Sequence, residues 1–127
     1  MDEMKTPTPR EQEILKVLWE RGPSSVRDVH QQLLGRGAKD AAYNTVQTLL
    51  RLMEGKGLVS HHVEGRTFVY TPRFSRNESA ARFVDRVFDG APSQLVSSLL
   101  EAERISPDEL EQLYALIAAA RKRRAKS

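Results

Sequence analysis

The chain has 127 residues, the size of one domain or of one small domain with an appendage. Hydrophobic residues at 39% leave enough apolar surface for a core, and aromatics at 6% make that core mostly aliphatic. The net charge of +3 is mildly basic and compatible with a nucleic-acid partner, and the lack of cysteine excludes disulfides, thiolate metal sites and cysteine nucleophiles.

The first predicted element follows Thr8-Pro9. Thr8 is a good helix N-cap, Pro9 suits the first helical position, and Glu11 completes a capping box. Ile14, Leu15, Leu18 and Trp19 form one apolar stripe, and Gly22-Pro23 stops the helix. A short second helix opens at Ser25 with Asp28 as its box partner; it buries Val26, Val29 and Leu33 and ends at Gly35-Arg36-Gly37. In the third, Asn44 is the expected cap with Gln47 at the reciprocal position, or Asp40 caps an earlier start. Val46, Leu49, Leu50 and Met53 face inward, and Gly55-Lys56-Gly57 terminates it.

Two β-rich runs come next, Leu58 to Val63 and Arg66 to Thr71. Glu64-Gly65 between them reads as the turn of a hairpin that Pro72 closes. Three further helical patterns follow. Ala80, Phe83, Val84, Val87 and Phe88 mark one, and Leu95, Val96, Leu99 and Leu100 the next. Leu110, Leu113, Leu116 and Ile117 mark the last, which opens on Ser106-Pro107-Asp108-Glu109. No internal repeat is present.

Charge is unevenly distributed along this order. Residues 1–74 hold 11 Lys/Arg and 9 Asp/Glu, residues 75–120 hold 4 and 8, and residues 121–127 hold five bases (Arg121, Lys122, Arg123, Arg124, Lys126) and no acid. The basic end suits a helix C-terminus, where cations meet the negative end of the dipole.

Three short helices and a hairpin give the order of a winged helix-turn-helix. The fold class expected is mainly α with a small β-hairpin: a winged helix-turn-helix over 6–72, a helical dimerisation domain over 75–120 and a basic tail over 121–127. The third helix then offers its polar side to the major groove, which admits one α-helix. Thr45, Gln47, Thr48 and Arg51 suit base edges, since Gln pairs with adenine, Arg with guanine and a Thr methyl with thymine. Tyr43, Asn44 and Arg66 are the expected backbone or groove contacts. The same residues also describe the wet face of any amphipathic helix. Two features favour the first reading: the outward face from Ala41 to Met53 carries no acid, and a hairpin with Arg66 beside its tip follows at once. The back section of about 50 residues is marginal as a private core. Two copies packing through Phe83, Val84, Val87, Phe88, Leu95, Val96, Leu99, Leu100, Leu110, Leu113 and Ile117 would complete one; folding back on the front domain is the other option.

These residues resemble the penicillinase-repressor (BlaI/MecI/CopY) family of bacterial winged-helix repressors. The resemblance rests on Pro9-Arg10-Glu11-Gln12-Glu13-Ile14-Leu15 with Trp19, on Ala42 through Leu52 with Lys56-Gly57-Leu58-Val59, on Glu64 through Tyr70, and on Phe88-Asp89-Gly90 through Val96. It covers roughly residues 6–118. It implies a homodimeric repressor of a palindromic double-stranded DNA operator, held together by the C-terminal helices. In some members a protease of a membrane-sensor pathway brings about release by cleavage at an Asn-Phe bond. The matching position here is Ser98-Leu99, a departure from that pair. The copper-responsive members' CxC motifs have no counterpart in a chain without cysteine.

Other chemistries find little support. His61 and His62 alternate on a predicted strand and so point to opposite faces, and His30 is the only other histidine, so no metal or other cofactor is expected. Gly35-x-Gly37 and Gly55-x-Gly57 read as helix stops rather than phosphate loops. Asn77-Glu78-Ser79 fits the glycosylation pattern, but nothing routes the chain for secretion. No nucleophile signature accompanies any histidine, so an enzyme is not expected. No apolar run approaches the roughly 20 residues of a membrane span. The acidic start Met1-Asp2-Glu3-Met4 lacks the apolar core of a secretory signal, so the expected location is cytoplasmic, without membrane insertion. A winged-helix adaptor that binds protein instead of DNA is the alternative function.

Overall fold

The computed structural model describes residues 6–126; the acidic start Met1-Asp2-Glu3-Met4 lies outside them. The chain divides into two units, Met1–Ala80 and Ala81–Ser127.

In the first unit, α1 (Pro9–Arg21) starts as its sequence dictates. Thr8 Oγ1 accepts from the Glu11 amide at 3.2 Å, and a Glu11 carboxylate oxygen accepts from the Thr8 amide at 2.9 Å. At its end Gly22 takes φ +92°, a conformation that favours glycine. The helix α2 (Val26–Gly35) has the matching reciprocal box between Ser25 and Asp28, both bonds 3.1 Å. The helix α3 (Tyr43–Gly55) departs from expectation: its N-cap is Ala42, with no side-chain cap, and Asn44 is the second helical residue. The ladder begins early because the Ala42 carbonyl already accepts from the Val46 amide at 3.0 Å. Asp40, the other candidate cap, is instead held by Arg10 at 2.8 Å.

The hairpin consists of β2 (Val59–Glu64) and β3 (Thr67–Pro72). Glu64 pairs with Thr67, so the turn is Gly65-Arg66, one residue later than the sequence implied. Gly65 sits at φ +66° while Arg66 is not in the left-handed region. That is the pattern of a type II′ turn, whose twist matches a hairpin. A two-residue strand that sequence reading missed, β1 (Ser24–Ser25), pairs with Tyr70 and Val69 and makes a three-stranded antiparallel sheet of order β1-β3-β2. Two serines carry no strand signature; the pairing comes from the chain passing β3 between α1 and α2.

The core lies where α1, α2, α3 and the sheet meet. Ile14, Val17, Leu18, Val29, Leu33, Val46, Leu50, Met53, Leu58, Val59 and Tyr70 are buried there, with Trp19 and Leu49 packed against it. Trp19 donates its indole N–H to the Phe74 carbonyl at 2.8 Å, and the Arg76 guanidinium lies 5.5 Å from its ring centroid. This ties the segment after the sheet to α1.

The remaining helices are α4 (Arg76–Val87), α5 (Pro92–Glu101) and α6 (Pro107–Lys126). Ser106 and Glu109 form the expected box at the start of α6 (3.1 and 3.2 Å), and Ser75 with Glu78 forms another at α4 (2.8 and 3.0 Å). The basic run continues α6 to Lys126. No residue of these three helices is buried, although their stripes are apolar. No helix of the described residues is long and apolar enough to cross a membrane.

Candidate nucleic-acid interface

The helix α3 buries Val46, Leu50 and Met53, and this fixes what its other sides present. At 3.6 residues per turn, Asn44, Thr48 and Arg51 lie opposite the buried stripe. Tyr43, Gln47 and Arg51 form a ridge on the side toward the hairpin, and Thr45 and Leu52 lie on the far flank. Tyr43, Asn44, Thr45, Thr48, Arg51 and Leu52 are exposed and Gln47 is half-buried.

A groove of about 570 Å³ runs between the start of α2, this ridge and the hairpin. It is lined by Ser25, Val26, Arg27, Tyr43, Gln47, Arg51, Arg66, Thr67, Phe68 and Tyr70. Thus the structure brings Tyr43, Gln47, Arg51 and Arg66 together in one concavity. Asn44, Thr45 and Thr48 lie outside it, on the crest and far flank of α3. Tyr43 also meets the His30 ring edge-on, with centroids 5.7 Å apart.

The charges of this groove have one sign. Arg10, Arg21, Arg36 and Arg76 each pair with a carboxylate. Among the described residues of this unit, Arg27, Arg51, Arg66 and Arg73 form no ion pair, and three of these four line the groove. No acid lines it. A second concavity of about 430 Å³, beside α1, contrasts with it: Arg10 there meets Glu13 and Asp40, and Arg36 meets Glu20. Unpaired guanidinium forks beside an amide and hydroxyls are the donors that phosphate oxygens and base edges accept.

Sequence reading missed Arg27 and Phe68. Arg27 is the only base of α2 and sits off its Val26-Val29-Leu33 stripe, a signal that was available. Phe68 depends on register: Val63 pairs with Phe68 and His61 with Tyr70, which puts all four on one sheet face. The His61 ring stacks on Phe68 at 4.2 Å and its Nδ1 lies 2.7 Å from a Glu54 carboxylate oxygen, joining the hairpin to the last turn of α3.

That end of α3 is also fixed from below. Lys56, the C-cap, donates to both carboxylate oxygens of buried Glu11 at 2.8 and 3.0 Å. Burial alone would raise the Glu11 pKa, but the bonds from Lys56 and the Thr8 amide outweigh it and hold the carboxyl below its ordinary range. Burial, reinforced by the Glu54 charge, pushes the Tyr70 hydroxyl upward.

The other predicted residues fall on α4 to α6. Phe83, Val87, Val96, Leu99, Leu100, Leu110 and Ile117 are exposed, while Val84, Phe88, Leu95 and Leu113 are half-buried. Ser98 and Leu99 lie within α5, both exposed. Among the described residues no three His, Asp or Glu side chains are grouped to hold a metal ion.

Comparison with known proteins bears on this surface. The family model described as penicillinase repressor matches residues 7–119. The penicillinase repressor of Bacillus licheniformis is 30% identical over 113 residues, covering 84% of this chain and 85% of that protein. The transcriptional regulator BlaI of Mycobacterium tuberculosis is 33% identical over 112 residues, covering 85% and 80%. Two solution structures are similar to the chain at 31% identity, each covering 61% of it and 93% of the solved chain. One is the B. licheniformis BlaI monomeric form in complex with the blaP half-operator (TM-score 0.50), and the other is the DNA-binding domain of the repressor BlaI (TM-score 0.52). The chain belongs to the penicillinase repressor family, whose members are transcriptional repressors and not enzymes.

Proposed function

We propose that this chain is a sequence-specific repressor that binds a palindromic operator in double-stranded DNA as a homodimer in the cytoplasm. The observation that carries the reading is the groove beside α3, where Arg27, Arg51 and Arg66 converge with no acid among the described residues. Asn44, Thr45, Gln47, Thr48 and Arg51 read base edges or the flanking phosphates. Tyr43, Arg27 and Arg66 hold the backbone on either side. The solved relative in complex with a half-operator supports operator DNA as the ligand.

The homodimer rests on a second observation. The helices α4, α5 and α6 bury no residue, so their apolar stripes lack the cover that would make them stable. A second copy supplies it, and two heads one helical turn apart then match a palindrome. Release by a protease of a membrane-sensor pathway would cut at Ser98–Leu99 and divide α5, removing part of that apolar cover.

A gel shift with a palindrome from the chain's own upstream region tests the proposal. Retardation at concentrations that leave a scrambled duplex free is expected. Equal retardation of both duplexes, or of neither, would return the adaptor reading.

A further inference from the structure

We infer that α6 pairs antiparallel with α6 of a second copy, and that its basic end beyond residue 119 closes the pair against the other copy's acidic start. The inference rests on the homodimer proposed above and specifies its geometry.

The helix is 20 residues long, with Asp108, Glu109 and Glu111 at one end and five bases from Arg121 to Lys126 at the other. The family match ends at residue 119, ahead of the bases. Leu110, Leu113, Ile117 and Ala120 follow a 3-4-3 spacing, the seam of a helix pair. A parallel pair would set two runs of five bases side by side. An antiparallel pair sets each run beside acids, so charge selects the direction.

The register follows from the seam. Leu110 faces Ala120 and Leu113 faces Ile117 of the other copy. Glu109 precedes Leu110, and Arg123 precedes position 124, the next of the same spacing, so the two meet across the pair, twice by symmetry. Leu116 meets its own counterpart at the two-fold axis on the same side, and Tyr114 meets its counterpart on the other. This accounts for the most exposed apolar side chains of the unit, Tyr114 at 75%, Leu116 at 66% and Ile117 at 58%. The helix dipole explains bases in the last turn, but not Arg121 and Lys122 ahead of it.

The chain has no cysteine, so single cysteines report the direction without interference. Under mild oxidation Leu116→Cys is expected to form a disulfide-linked dimer. Leu110→Cys is expected to stay uncrosslinked, because its counterpart lies about 15 Å along the axis. Crosslinking of Leu110→Cys without Leu116→Cys, in a protein that light scattering shows to be dimeric, overturns the direction and leaves the homodimer standing. A monomer overturns both.

Charge reversal gives a second readout that does not alter the seam. Arg123→Glu should weaken dimerisation by roughly threefold to tenfold, and Glu109→Arg in the same chain should restore it. If Arg123→Glu instead lowers operator affinity at concentrations where the protein is fully dimeric, the basic end touches DNA and the pairing is wrong.

Discussion

Arg27, Arg51 and Arg66 differ from Arg10, Arg21 and Arg36 in what surrounds them. Arg10, Arg21 and Arg36 have carboxylates at hand, and these three have none. If Arg51 reads a base, Arg51→Ala costs about 1–3 kcal/mol and relaxes preference at one operator position in a titration of single-base variants. If Arg27 and Arg66 hold phosphates, each alanine variant weakens all sequences alike and reduces the slope of log K against log salt by about one unit. Lys56 has a different task. Lys56→Met leaves the Glu11 carboxylate buried without its cation, an expected loss of about 2–3 kcal/mol in urea unfolding at neutral pH. In the wild type the lowered Glu11 pKa contributes stability that is complete above the unfolded value near 4.5 and is lost as pH falls through the lower folded value. The variant removes the main bonds that lower this pKa and leaves burial to raise it, so its deficit against the wild type should be largest at neutral pH and should narrow as the pH falls and Glu11 is protonated.

At the scale of elements, the legible features were those written in local chemistry. The Thr8-Glu11, Ser25-Asp28 and Ser106-Glu109 boxes formed as read, because each joins side chains to amides within one turn. What failed depended on partners distant in sequence. Asp40 was drawn to Arg10, thirty residues away, and α3 began at the uncapped Ala42. The two-serine strand β1 exists only because β3 lies beside it. Phe68 reaches the groove only through the hairpin register, whereas Arg27 carries a local signal, a base off the apolar stripe of its helix. The bare cap offers a test. Ala42→Ser should stabilise the protein by about 0.5–1 kcal/mol in thermal or urea unfolding. Ala42→Asp should also stabilise it, yet weaken operator binding, since its charge sits at the start of the helix offered to phosphates.

For the whole molecule, the two units differ in how completely they bury their apolar stripes. The first closes a core of its own around Ile14, Val29, Leu50 and Tyr70, whereas the helices α4 to α6 leave Phe83, Val87, Leu100 and Ile117 exposed. The sequence carried this contrast only as stripes, since periodicity shows that a face is apolar but not what covers it. Light scattering of the full chain should give twice 14.4 kDa. A fragment ending at Ala80, which keeps the Trp19–Phe74 bond, should be a folded monomer. A dimeric fragment would place the interface in the first unit instead.

In the function proposed, DNA meets this protein on α3 and the arginine-lined groove beside it. Titrating an operator half-site into the isotope-labelled fragment 1–80 and following its amide and arginine side-chain resonances by NMR tests this most directly. Shifts are expected at Arg27, at residues 43–52 and at Gly65 to Phe68, with the concavity beside α1 at Glu13, Lys16 and Arg36 unmoved. Shifts centred on that second concavity, or an α3 that stays silent as DNA binds, would contradict it.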